Sequence, residues 1–242
     1  MSPRTLLVVL ACALPSAAFP AVWVDVEGGA VWQSRNDVQI PKDGGTRFSL
    51  VDLGSGPGAA WRVQAGVALG RHELRALAAP LTLAVDGSFD DPVSFQGQTF
   101  AAGVHTDAWY RFDSYRLTYR YAVVERPALT VKVGLTGKLR DASIRLRQPG
   151  VEAVRSNVGF VPLLHLNLEW RFAGPFALLL DADALAAPQG RAEDVGLFLA
   201  WRVTPALLLR AGYRTLEGGS SGGGVYNFAW LHYGMAGTTV SF

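Results

Sequence analysis

The sequence predicts an all-β fold: a closed antiparallel barrel of about ten strands that crosses a membrane, with eight and twelve as the neighbouring even counts. Three observations predict it. The chain is apolar yet lacks long apolar runs, its apolar residues recur at every second position, and its connections alternate between short and long.

Composition sets the frame. Half of the 242 residues are hydrophobic and 17% are charged. Past the N-terminus, no stretch approaches the ~20 consecutive apolar residues that a membrane helix needs. Apolar residues come in short pieces split by Arg, Asp, Gly or Gln. Such a chain is either a soluble all-β protein or one that turns every second side chain to lipid. The net charge of +2 is spread along the chain rather than clustered, so no nucleic-acid footprint is expected. No Cys/His spacing suggests a metal and no Gly-rich loop resembles a phosphate cradle, so neither metal nor cofactor is expected.

Residues 1–18 read as a secretion signal and residues 19–242 as the barrel domain. Arg4 supplies the basic region, residues 5–14 the apolar one, and Ser16 and Ala18 the small residues before a cleavage at Phe19. Cys12, the single cysteine, lies inside that signal, so no disulfide framework is expected.

The period-two pattern is clearest from Leu164 onward. Leu164, Leu166, Leu168, Trp170 and Phe172 fall on one face, and His165, Asn167, Glu169 and Arg171 on the other. A strand turns successive side chains to opposite faces; no helical period fits. The division recurs. Val24, Val26 and Trp32 oppose Asp25 and Glu27; Trp61, Val63 and Val67 oppose Arg62 and Gln64. Leu117, Tyr119 and Tyr121 oppose Arg116 and Arg120, and Val131, Val133 and Leu135 oppose Lys132. Leu197, Leu199 and Trp201 oppose Arg202; Leu209 and Tyr213 oppose Arg210 and Arg214. An Arg-rich polar face opposite an apolar face edged with Trp and Tyr fits a barrel with a polar inside and aromatic girdles. Two places resist. Arg71, Glu73 and Arg75 share parity with Leu77, Leu81 and Leu83, so either the face switches near Ala76 or the charged part lies outside the membrane; a similar slip falls at Arg140 and Asp141, and bulges would explain both.

Short turns are read at Gly70, Pro127, Gly174 and Pro205, and long loops at 34–58, 86–108, 147–157, 187–193 and 216–224. The strands between them fall near 22–33, 59–69, 72–85, 109–124, 128–146, 157–172, 176–186, 194–203, 206–215 and 225–242. An even count leaves both chain ends on the short-turn side. Phe48 to Leu53 reads as a strand extension or a small hairpin above the membrane.

The chain ends with Val240 and Phe242 on one parity. This resembles the C-terminal assembly signal of Gram-negative outer-membrane β-barrel proteins, although Thr238, Ala236 and Gly234 depart from its bulky pattern. The resemblance is to the whole class. It implies residence in the outer membrane, reached by secretion through the periplasm, with outer-membrane lipid and the assembly machinery as partners; the protein is expected to be a monomer.

The expected lumen-facing charges are Asp25, Glu27, Arg62, Arg116, Arg120, Lys132, Lys138, Arg140, Glu169, Arg171, Asp181, Asp183, Arg202, Arg210 and Arg214. Charges withdrawn from water must be paired, and narrow barrels are filled by their own side chains. The function expected is therefore a mostly filled, Arg-rich barrel with a structural or surface-interaction role. A narrow anion-leaning pore is the alternative. A second alternative is a rim hydrolase like the omptin-type surface proteases, with Asp90, Asp91, His105 and Asp107 in one long loop. Lipid A deacylases use a His/Ser pair facing lipid, but His232 and Ser241 lack a recognisable spacing. No catalytic residue is assigned. Phe89, Phe95, Phe100 and Trp109 either mark a partner surface or fold over the barrel mouth, and Gly218 to Gly224 reads as a flexible tip.

Overall fold

The computed structural model describes residues 21–188 and 190–242. The segment read as a signal, with Phe19 and Pro20, lies outside the described residues. No helix among them is long and apolar enough to cross a membrane. The strands are β1 (Ala21–Gln39), β2 (Phe48–Ser49), β3 (Gly58–Leu69), β4 (His72–Ala79), β5 (Thr82–Gly87), β6 (Val93–Phe95), β7 (Gln98–Phe100), β8 (Thr106–Arg126), β9 (Leu129–Gln148), β10 (Val151–Ala173), β11 (Phe176–Ala187), β12 (Gly190–Arg202), β13 (Leu207–Ser220) and β14 (Tyr226–Ser241).

They form a closed antiparallel barrel of ten staves. β1 pairs with β3 on one side and β14 on the other, which closes the ring. β4 and β5 make one stave along β8, interrupted at Pro80, which has no N–H for the ladder. The other staves follow in chain order. Closure leaves no strand edge facing hydrocarbon. Gly70 and Gly174 sit at short turns with φ of 58° and 51°, a left-handed conformation that suits glycine.

The outward face is apolar. Leu135, Leu117, Leu164 and Leu199 point out and are more than half exposed. Tyr115, Leu139 and Phe160 form one cross-strand row on β8, β9 and β10. One pair above it stand Asp113 and Asp141, and Arg111 reaches Asp141 at 2.7 Å. The apolar belt therefore ends at that row, and the three strands continue into water.

This continuation corrects the expected loop at 147–157. β9 and β10 run on to a two-residue turn at Pro149 and Gly150, and the outward pairs Arg145–Glu152 and Arg147–Asp107 lie at 2.8 and 2.7 Å. Above the membrane both faces of a strand can be polar, so alternation fades while pairing persists. Gly218, Gly219 and Ser220 likewise belong to β13 rather than to a flexible tip.

The expected face switches are absent. Glu73, Arg75, Leu77, Leu81 and Leu83 are all buried on the inward side. What changes along the stave is the interior itself, charged toward the short turns and apolar toward the long loops. At Arg140 and Asp141 both neighbouring registers run through without a shift. Bulges occur instead between Gln33 and Arg35, Ala122 and Val124, and Arg171 and Ala173.

Two long loops build the apolar end. Residues 40–57 carry β2, which pairs with β1, and a 3-10 turn at Leu50–Asp52. Residues 88–105 carry the β6–β7 hairpin, whose turn at Gln96 and Gly97 has φ of 52° and 74°; positive φ at both central residues matches the twist of a tight hairpin. The loops hold each other: Thr46 donates its N–H to Ser94 O at 3.0 Å, and Gln96 donates to Ile40 O at 2.9 Å. Phe89, Phe95 and Phe100 fold inward and are buried, with Phe48 edge-on to Phe89 and Phe95. Trp109 differs. It stands on the outer face of β8 between Arg145 and Arg147, whose guanidinium carbons lie 5.0 and 5.1 Å from its ring.

Candidate functional site

The lower interior is a network that ties staves across the lumen. Arg116 on β8 reaches Asp183 on β11 at 2.7 Å and Asp194 on β12 at 2.5 Å. Arg62 on β3 and Arg214 on β13 meet the same Asp194 at 3.1 and 2.6 Å. Arg75 on β4 crosses to Asp181 at 2.8 Å. His165 Nδ1 lies 2.9 Å from Asp183, beside the Thr118–Thr136 hydroxyl pair. Near the β1–β14 closure, Arg210 pairs with Asp25, and Glu27 faces Arg210, Arg62 and Arg214 at 3.0 to 3.5 Å.

Toward the short turns, Glu73 takes Arg120 and Lys132, each at 2.5 Å, and accepts from Trp23 Nε1. At the rim itself, Glu169 holds Arg171 and Arg202 in partial exposure. Two of the expected lumen charges stand apart: Lys138 and Arg140 have no carboxylate partner among the described residues. Lys138 is buried over the Phe112 ring at 4.7 Å, and Arg140 donates to the Asn157 side chain.

Three members of the network escaped the sequence reading. Glu73 and Arg75 share parity with leucines, which hides them among apolar residues. Asp194 falls at the start of a strand, where its even parity with Gly196 and Arg202 is the available signal. Above the network lies an apolar cluster of Val31, Leu50, Phe95, Phe100, Leu146 and Leu231.

A cavity of about 470 Å³ lies beside this cluster, under the tall β9 and β10, with β11 to β13 as its far wall. Its lining mixes Phe112, Ile144, Val161, Leu185 and Leu216 with Lys138, Arg140 and Arg155.

On the outside, at the aromatic girdle, Ser34 is the extra residue of the β1 bulge. Its Oγ lies 2.6 Å from His232 Nε2 on β14, and Tyr213 OH on β13 meets Nδ1 of the same ring. Trp32 and Trp230 pack around the histidine. The hydroxyl partner of His232 is thus Ser34, two hundred residues away in sequence, and sequence spacing could not reveal it. At the rim, His105 Nε2 is 3.5 Å from Asp107 Oδ1. The hydrogen bond from Arg147 holds the Asp107 carboxyl below its usual range. Among the described residues no group of three or more His, Cys, Asp or Glu is placed to hold a metal ion.

No family model matches the chain, and no curated protein matches it. Solved structures do. The outer membrane protease OmpT from Escherichia coli aligns over 92% of this chain and 97% of its own, with a TM-score of 0.54 and 11% identity. The fold is that of the Gram-negative outer-membrane β-barrels. Neisserial surface protein A aligns over 92% of this chain and 99% of its own, with a TM-score of 0.39 and 15% identity. Ail of Yersinia pestis, solved with the heparin analogue sucrose octasulfate, aligns over 91% and 99%, with a TM-score of 0.42 and 11% identity. In this outer-membrane barrel Val240 lies on the last stave between Val24 and Leu207, and Phe242 beyond it donates its N–H to Val22 O.

Proposed function

We propose that this outer-membrane barrel is closed along its axis and works at the cell surface rather than as a pore. The observation that carries the reading is the two-layer filling. Arg116 and Arg62 reach Asp194 across the lumen, and Phe95 and Phe100 seal the mouth above them. Ions would have to break paired charges and then pass an apolar layer, and both steps oppose conduction. The parts left free to meet partners are the strands above the membrane, where Trp109 is presented between two arginines. The test is reconstitution in planar bilayers. The unmodified protein gives no steady unitary current; reproducible steps, anion-selective or otherwise, would overturn the reading.

A second reading rests on Ser34 and His232. A hydroxyl 2.6 Å from an imidazole nitrogen is the pairing of nucleophilic acyl transfer. Ser34 Oγ would attack an ester carbonyl of a lipid, its proton passing to His232 Nε2 and on to the departing alcohol. Water would then release the acyl group. Labelling of Ser34 by a fluorophosphonate probe, lost in His232→Ala, supports this reading; an unlabelled folded barrel ends it.

A further inference from the structure

The barrel wall opens on one side from the upper edge of the apolar belt, and the opening leads to the cavity. The β10–β11 ladder rises from Ala173–Phe176 to Leu164–Ala184 and stops. β11 continues to Ala187 and β10 extends from Val151, so residues that would pair lie unpaired across a seam. The chain enforces the gap. Arg171 gives its N–H to Ala128 on the β9 side, and the β9–β10 register is unbroken from Val151 to Trp170. Even-numbered residues of β10 therefore aim their backbone groups at β11. Pro162 is among them and has no N–H to give.

A comparable seam opens above Val63 between β3 and β5, and it is packed shut. A Cβ on Gly58 would sit 2.8 Å from Leu83, and one on Gly54 would sit 3.1 Å from Val85. A pocket of about 20 Å³ lies there, beside Ala60, Pro80 and Leu81. The β10–β11 seam instead keeps about 470 Å³, within the ~300–1,000 Å³ of small-molecule sites.

The charge of the cavity is one-sided. Every carboxylate of the lower network is paired with at least one guanidinium or ammonium group, yet Lys138, Arg140 and Arg155 have no carboxylate within ion-pair distance among the described residues. Lys138 is buried, and a buried charge without a partner calls for one from outside. The carboxylates at the cavity's edge, Glu193 and Glu217, face outward from β12 and β13, opposite in parity to the buried Asp194 and Leu216, and Glu217 is bound by Arg191 at 2.5 Å. Depth matters as well. Lys138 pairs with Val161 and Arg140 with Gly159, on either side of the Tyr115–Leu139–Phe160 row that ends the apolar belt. Lys138 and Arg140 thus stand at headgroup depth, with Arg155 higher on β10 across from Ile144 and apolar side chains at the door.

The geometry points to a binding site for a single-chain amphiphile with an oxyanion head, a phosphate monoester or a carboxylate. The acyl chain threads the β10–β11 seam past Pro162 and Leu185, and the head rests on Lys138, Arg140 and Arg155. Guanidinium groups suit either head because their donors match two oxygens at once. The inference goes beyond the closed-barrel reading, and its readout is binding, so it can fail while the bilayer remains silent.

The test uses the folded full-length barrel in an uncharged maltoside detergent. Titration with lysophosphatidate, followed by native mass spectrometry, gives one tightly retained molecule per barrel. Lysophosphatidylcholine, which has the same chain and a zwitterionic head, binds about tenfold more weakly or less. Inorganic phosphate does not displace the ligand at equal concentration. Lys138→Met with Arg155→Gln weakens retention about tenfold, and Leu185→Trp, which fills the door and keeps the cations, does so too. Retained heat-modifiable gel migration shows that each variant is folded. Equal binding of both lysolipids, equal competition by phosphate, or full retention in folded Leu185→Trp would overturn the proposal.

Discussion

Arg116 and Asp194 lie 2.5 Å apart although their strands, β8 and β12, never pair. The contact joins opposite walls of the cylinder, and Asp194 also receives Arg62 and Arg214. One carboxylate therefore contacts three guanidinium groups, which Glu27 and Asp183 also meet. Removing one member of a buried ion-pair group strands the others, at a cost of about 3–5 kcal/mol. Asp194→Asn should lower unfolding stability by that order in urea titrations of the lipid-reconstituted barrel. Glu193→Gln, one residue away on the outer face, should change it by no more than about 0.5 kcal/mol.

The apolar layer makes a separate prediction. Phe95 is fully buried under the folded loops, and truncating such a ring costs about 3–5 kcal/mol. Phe95→Ala should destabilise the loop cap first, seen as faster amide exchange at Val93 to Phe100 while the β9–β10 ladder stays protected. Uniform loss of protection would show that cap and barrel are one cooperative unit.

Lipid contact predicts a different sensitivity. Leu135 points outward midway between the start of β9 and the girdle row. An arginine near the bilayer midplane costs about 2–4 kcal/mol. Leu135→Arg should lose that much stability in bilayers, whereas Leu135→Phe should lose little.

At the rim, Asp107 has its pKa lowered from 3.8, chiefly by the hydrogen bond from Arg147. A depressed folded value means that the contact contributes stability above the ordinary carboxylate range and loses it as pH falls through the folded pKa. The Asp107 carboxyl should titrate below 3.8 by NMR, and Arg147→Gln should raise its midpoint. An unchanged midpoint would remove Arg147 as the cause.

Much of the barrel was legible because lipid imposes strict alternation wherever it touches a strand. Leu164, Leu166 and Trp170 therefore read correctly, and so did the even count of staves. Where lipid contact ends, the rule loses its cause. The upper parts of β9 and β10, with Arg145, Arg147 and Glu152 outward, looked like a loop. Arg75 and Leu77 seemed in conflict because the interior changes from charged to apolar along one stave. The partners of a lumen charge were not legible at all. Arg116 and Asp194, or Ser34 and His232, meet through closure of the cylinder, and nothing local in the chain records such distances.

The most direct test of the account reads the two faces of one strand. The sequence holds a single cysteine, Cys12, within the segment read as a signal, so labels can be placed singly. Val67 points outward and its neighbour Ala68 inward on β3. In Val67→Cys a bimane label should be quenched by doxyl groups on lipid chains and spared by iodide, and the Ala68→Cys label should escape the lipid quencher. Equal quenching of both positions by iodide in the absence of lipid protection would contradict an outward apolar belt, and with it the closed barrel.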